Sequence, residues 1–152
     1  MVKATTTRVI AFDLDEALNF EGETGPYLQY SFVRERNIRR KLDAAGIASE
    51  VVPEQLQELA AGVWADDLWD LVLATAQIPE TVAKAAETLE LSLIARQALD
   101  LAQKFHAAYH HHPILHESDP ALRRARLGTN LIFRKGLLEL AELLGLPVPE
   151  KM

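Results

Sequence analysis

From residue 25 onward the apolar residues of this chain recur every three or four positions, and the runs open at prolines and close at glycines or prolines. That period belongs to helices that bury one face, and the punctuation is that of helix ends. Thr24-Gly25-Pro26 sets a polar cap before a proline in the first turn, and the helix it opens runs to about Ala45, ended by Gly46. Pro53 opens a second, whose stripe of Leu56, Leu59, Ala60 and Val63 continues through Trp64, Leu68, Leu71 and Val72. Pro79 with Glu80 starts a short third. Leu91 to Tyr109 is the cleanest amphipath, with Leu91, Ile94, Ala95, Ala98, Leu101, Ala102, Phe105 and Tyr109 on one stripe before Pro113 stops it.

Ser118-Asp119-Pro120 repeats the cap-then-proline start. The helix that follows carries Leu122, Ala125, Ile132, Phe133, Leu137, Leu140 and Leu144 on one side, and Leu127, Leu131 and Leu138 on roughly the other. A helix apolar on two sides is packed between neighbours, so this one belongs at the centre. Gly145 and Pro147 end it. Only residues 8–12 (RVIAF) read as a strand, and one short strand cannot build a sheet. The expected fold is all-α, a helical bundle of about five to seven helices.

Composition narrows the class. A chain of 152 residues that is 49% hydrophobic and 25% charged suits one globular domain. With 7% aromatic residues, aliphatic side chains and alanine must build most of the core. The absence of cysteine excludes disulfides, thiolate metal sites and a cysteine nucleophile. No run approaches the roughly 18 apolar residues of a membrane span, and the first residues lack a signal peptide's pattern. A cytoplasmic protein with no membrane partner is the expectation.

The formal net charge of −6 argues against a polyanion partner until it is read by segment. Residues 34–41 carry five basic side chains and one acidic, and residues 101–136 carry six and two. Between them, residues 42–100 hold eleven acidic side chains and two basic. The two basic islands are either solvated helix faces or the two halves of one positive strip for a phosphate backbone. Within the first island Arg34, Arg36, Arg39 and Arg40 do not share one face; Arg36 and Arg40 are neighbours, while Arg34 pairs with Lys41.

Two motifs invite catalytic readings. An apolar run delivering Asp13 and Asp15 resembles the first motif of haloacid-dehalogenase-type phosphatases, in which one carboxylate attacks phosphorus and the other moves the proton. Glu16-Ala17 replaces the glycine-threonine expected next, and the repeated strand–helix units of that fold are missing. The five histidines, His106, His110, His111, His112 and His116, bring His106 and His110 to one helical face. No carboxylate stands between those two in an H-E-x-x-H pattern, and a proline interrupts the rest. They are expected at a helix end and on the surface, with no metal bound. There is no G-x-S-x-G, no phosphate-cradling glycine loop and no Ser/His/Asp grouping, so no catalytic residue is assigned.

The most specific stretch is Phe12-Asp13-Leu14-Asp15-Glu16-Ala17-Leu18-Asn19-Phe20-Glu21-Gly22-Glu23-Thr24-Gly25-Pro26-Tyr27-Leu28-Gln29-Tyr30. It closely resembles the segment by which arginyl-tRNA synthetases leave their catalytic domain and enter a C-terminal helical anticodon-binding domain of the DALR type. Later segments resemble the same family in order: Ala98 to Tyr109, then Pro113-Ile114-Leu115, Arg126-Leu127 and the closing Pro149-Glu150-Lys151-Met152. The resemblance implies residues 1–24 as an extension leaving the catalytic domain and residues 25–152 as the anticodon-binding bundle. It implies the anticodon arm of arginine tRNA as partner, together with the catalytic domain of the same synthetase.

The family's HIGH-like and KMSK-like motifs are absent, so no aminoacylation is expected of this chain by itself. ATP and magnesium would belong to the parent enzyme, with no cofactor on this chain. The chain would be either a C-terminal piece or a free-standing relative; in the second case, a helical interaction domain docking a protein partner is the alternative. Among the implied tRNA-binding residues, Tyr109 and Met152 would lie near anticodon bases. Arg126, Arg36, Arg40, Arg34 and Arg39 are the candidates for phosphate. Tyr27, Gln29 and Tyr30 carry the junction signature. Two positions depart from the pattern: His106 stands where the family commonly has asparagine, and the stretch from Gly136 to Gly145 is a few residues longer than usual. The surface reading of the histidines carries a test. Stoichiometric zinc is expected to leave the melting temperature unchanged, and a rise of several degrees would overturn it.

Overall fold

The computed structural model describes residues 24–152. The strand reading at 8–12, the Asp13/Asp15 pair and the stretch 1–23 of the proposed extension lie outside the described residues. The rest is all-α, as expected. Six α-helices follow one another: α1 (Gly25–Ala44), α2 (Pro53–Gln57), α3 (Asp66–Ala76), α4 (Ile78–Thr88), α5 (Leu91–His111) and α6 (Pro120–Leu143). A single 3-10 turn, Ala61–Val63, stands between α2 and α3.

The helix ends fall where local chemistry puts them. Thr24 Oγ1 accepts from the Tyr27 amide at 3.4 Å, and Asp119 Oδ1 accepts from Ala121 and Leu122 at 2.7 and 3.3 Å, each just ahead of a first-turn proline. The ends of α1 and α6 use one device. Gly46 and Gly145 take φ of +71° and +62°, and the next residue's amide reaches back, Ile47 to Leu42 O and Leu146 to Ala141 O. Helix α4 closes the same way on Leu89, at φ 57° and almost wholly exposed, a conformation that favours glycine.

The stripe from Pro53 to Val72 is not one helix. It breaks into α2, the 3-10 turn and α3. Ala60, Trp64 and Ala65 are extended, and Gly62 removes any side chain that would hold a helix to the core. Asp66 and Asp67 then sit in the first turn of α3, where unpaired amides favour negative charge. Leu91 also departs from expectation: at the very start of α5 it is 47% exposed, whereas the stripe behind it is buried from Ile94 to Phe105 and half-buried at Tyr109.

Helix α6 is central as its two apolar sides require, packing against α1, α2, α3 and α5. Leu127, Phe133, Leu137 and Leu140 are buried, while Leu138 reaches the surface. Phe133 stacks on Phe105 of α5, ring centres 4.0 Å apart and planes 5° from parallel. Two glycines let neighbours approach closely. A methyl group on Gly136 would lie 2.6 Å from Thr75 Cγ2 and 2.7 Å from Ile78 Cδ1; on Gly128 it would lie 2.5 Å from Leu56 Cδ2.

These two contacts should respond differently. Thr75 is β-branched and anchored in α3, whereas Leu56 is half-buried on a five-residue helix and can swing. Gly136→Ala is expected to destabilise by about 1–3 kcal/mol, exceeding the roughly 1 kcal/mol gained in helix propensity. Gly128→Ala should cost less. Urea unfolding of both variants checks the order, and a Gly136→Ala protein as stable as the parent would contradict the close packing.

Candidate nucleic-acid interface

One carboxylate sets how α1 is rotated. Glu35 is 3% exposed and faces α6, where Asn130 Nδ2 donates to its Oε1 at 3.1 Å. Arg39, one turn along α1, donates to it from Nε at 2.7 Å, and Arg134 Nε of α6 lies 3.7 Å away. Arg39 also stands 3.9 Å from Glu50. The two basic islands therefore adjoin at Glu35, and Arg39 is turned inward to neutralise it.

With Glu35 inward, Arg34 and Arg36 project to opposite flanks. Arg34 meets α5. Its Nη1 lies 2.7 Å from His106 Nδ1, and its guanidinium carbon sits 5.1 Å from the centre of the Tyr109 ring. Tyr109 in turn stacks on Phe105 at 6.3 Å. No carboxylate among the described residues forms an ion pair with Arg34.

On the other flank Arg36 Nη1 donates to Pro149 O, and Gln29 Nε2 donates to Pro147 O, both at 3.1 Å. These bonds strap the C-terminal tail along α1. Met152 follows at 67% exposed. Arg40, one turn beyond Arg36, is exposed.

His106 is the residue that surface reasoning missed. It is partly buried between α1 and α5, with Tyr30 stacked on it at 5.7 Å and Tyr27 tilted against it at 5.2 Å. Its Nε2 lies 2.9 Å from Ser31 Oγ. Burial first, then the Arg34 charge, lowers its pKa from 6.5 to about 4. Burial likewise raises the Tyr27 phenol above its ordinary value, with Arg34 opposing. The available signal was a polar ring beside Phe105, three residues before Tyr109, on a stripe otherwise bound for the core. Tyr27, Tyr30 and Tyr109 thus converge through His106 and Arg34, while Gln29 serves the tail.

The other histidines behave as expected at a helix end. His110 and His116 are exposed, and His111 and His112 lie 3.1 and 2.8 Å from Asp67, at the start of α3. Among the described residues no three histidine, aspartate or glutamate side chains are arranged to hold a metal ion. Arg126 is engaged: it donates to Pro113 O at 2.8 Å and pairs with Glu117 at 2.6 Å. It still lines, with Tyr109, His112 and Asn130, a shallow hollow floored by Leu68, Leu71 and Phe105. No helix among the described residues is long and apolar enough to cross a membrane.

The sequence matches the family model described as the DALR anticodon binding domain over residues 28–152. An arginine–tRNA ligase from Enterococcus faecalis is 40% identical over 141 residues, which take in 93% of this chain and 23% of the relative. One from Streptococcus mutans is 36% identical over 151 residues, 99% of this chain and 25% of the relative. The solved arginyl-tRNA synthetase of Thermus thermophilus superimposes with a TM-score of 0.80 at 33% identity, over 99% of this chain and 25% of that one. The chain thus spans about a quarter of the length of the relatives it matches.

The lowered pKa of His106 has a consequence for stability. Between pH 6.5 and about 4 the unfolded chain binds a proton at this ring that the folded chain refuses, so stability is fully present above 6.5 and drains as pH falls towards 4. His106→Asn removes the titration and should flatten that decline by no more than roughly 2–3 kcal/mol. Chemical unfolding at pH 7 and pH 4.5 measures it; identical slopes in variant and parent would refute the buried neutral ring.

Proposed function

The chain belongs to the DALR anticodon binding domain family of arginyl-tRNA synthetases, and on that premise we propose that it grips the anticodon arm of arginine tRNA. The observation that carries the proposal is the contact of Arg34 with Tyr109: a cation that pairs with no carboxylate among the described residues, laid against an aromatic face, on one flank of a helix whose other flank carries Arg36 and Arg40. Bases of an anticodon loop are unstacked and splayed, and every base has a face that an aromatic ring can take. Arg36 and Arg40 would meet the phosphates, with Met152 beside them at the end of the strapped tail. Arg126 would stay with Glu117 at the rim of the hollow.

In this reading the module works in the cytoplasm beside the catalytic part of the same ligase. It contributes binding energy and orientation. Arginine activation, with its ATP and magnesium, falls to the remainder of the enzyme. A second reading, a helical domain docking a protein partner, draws on Trp69 and Leu73, which are exposed one turn apart on α3, with Trp64 stacked on Trp69 at 5.7 Å. Asp66 and Asp70 on the same helix would repel RNA from that patch.

Binding of arginine tRNA and of a tRNA with an unrelated anticodon, each at low and near-physiological salt, separates the readings. A preference that survives salt supports base readout; equal, salt-erased binding would mean that the basic islands attract any polyanion. Tyr109→Ala should weaken binding by about 1–3 kcal/mol at unchanged helicity. Arg40→Ala should lower the slope of log affinity against log salt by about 0.7–0.9. An unchanged affinity in the tyrosine variant would remove Tyr109 from the site.

A further inference from the structure

We infer that His106 is the positioning residue of this interface: by accepting a hydrogen bond from Arg34 it lays the guanidinium against the Tyr109 ring, so that cation and ring meet RNA as one prearranged surface. The inference rests on the RNA-binding reading above and concerns a residue that would not itself touch RNA.

The hydrogen bonds decide which way the ring works. Ser31 is fully buried and its Oγ donates to the Tyr27 carbonyl at 3.0 Å. Its hydroxyl proton is thereby committed, so at 2.9 Å it accepts from His106, and the ring's proton sits on Nε2. Nδ1 is left as a bare acceptor, 2.7 Å from Arg34 Nη1. A charged ring would turn an N–H towards the guanidinium, and burial beside Arg34 disfavours that state throughout the neutral range. Tyr30 and Phe105, with Tyr27, pack around the imidazole and hold its plane.

Arginine is costly to immobilise, since its long side chain loses much rotamer freedom when it is held in one place. Here that ordering is done before any ligand arrives. A guanidinium has five N–H donors, of which His106 takes one. Those left over would suit phosphate oxygens or the acceptor edge of a base packed against the Arg34–Tyr109 pair.

The test is a set of variants that separate hydrogen bonding from packing. His106→Phe keeps a planar ring and leaves Ser31 donating to Tyr27, but has no acceptor. His106→Asn places an oxygen at the same bond count from the backbone as Nδ1. With a hairpin RNA of the arginine tRNA anticodon arm as probe, His106→Phe should weaken binding about tenfold, and His106→Asn should stay within about threefold of the parent. In an Arg34→Ala background, His106→Phe should cause no further loss. Equal weakening by Phe and Asn, or full additivity with Arg34→Ala, would overturn the inference.

A second measurement needs no RNA. Nitrogen-edited NMR of the parent should resolve separate, slowly rotating Arg34 Nη groups that His106→Asn retains and His106→Phe averages together. Averaged groups in the parent would overturn the positioning whatever the RNA result. Resolved groups in a parent that does not bind the hairpin would instead sink the RNA-binding reading.

Discussion

A single carboxylate buried between two helices sets the geometry on which the rest of this structure depends. Taking Glu35 out of water is tolerable only because Arg39, Asn130 and Arg134 surround it, and those partners come from both α1 and α6. The requirement fixes the rotation of α1 about its own axis. Successive residues on a helix are roughly 100° apart, so burying position 35 sends 34 to one flank and 36 to the other. One flank meets α5 and becomes the Arg34–His106–Tyr109 group. The other meets the C-terminal tail through Gln29 and Arg36.

The same rotation decides which basic side chains of a chain with net charge −6 are left for a partner. Charge counted along the sequence overstates what is free, because Arg39 and Arg126 are spent on internal carboxylates. Arg34 pairs with no carboxylate among the described residues, and Arg40 is open to solvent one turn beyond Arg36. The acidic middle of the chain puts Asp66 and Asp70 on α3 beside an exposed tryptophan, and so divides the surface chemically. Polyanion and protein partners would favour different parts of it.

Features that depend on a few neighbouring residues are legible in the chain itself. Thr24-Gly25-Pro26 and Ser118-Asp119-Pro120 announce their helices, and Gly46 and Gly145 close theirs, because capping is settled within one turn. The two apolar sides of α6 announce its central place. The break between residues 57 and 66 is hidden, since Leu56 and Val63 keep helical spacing while the chain between them leaves the helix. The αL residue ending α4 is a leucine and offers no glycine to read.

Periodicity, capping and motif order are properties of contiguous chain, and they carry the class of fold, the ends of the long helices, the family and the residue types available for a polyanion. Packing alone turns Arg39 inward, pairs Arg126 with Glu117, straps the tail to α1 and seats His106 between Ser31 and Arg34. Most of these contacts join residues many positions apart. Whether a charged or titratable side chain is spent or free depends on which partner reaches it when the helices pack, and spacing along the chain does not carry that information.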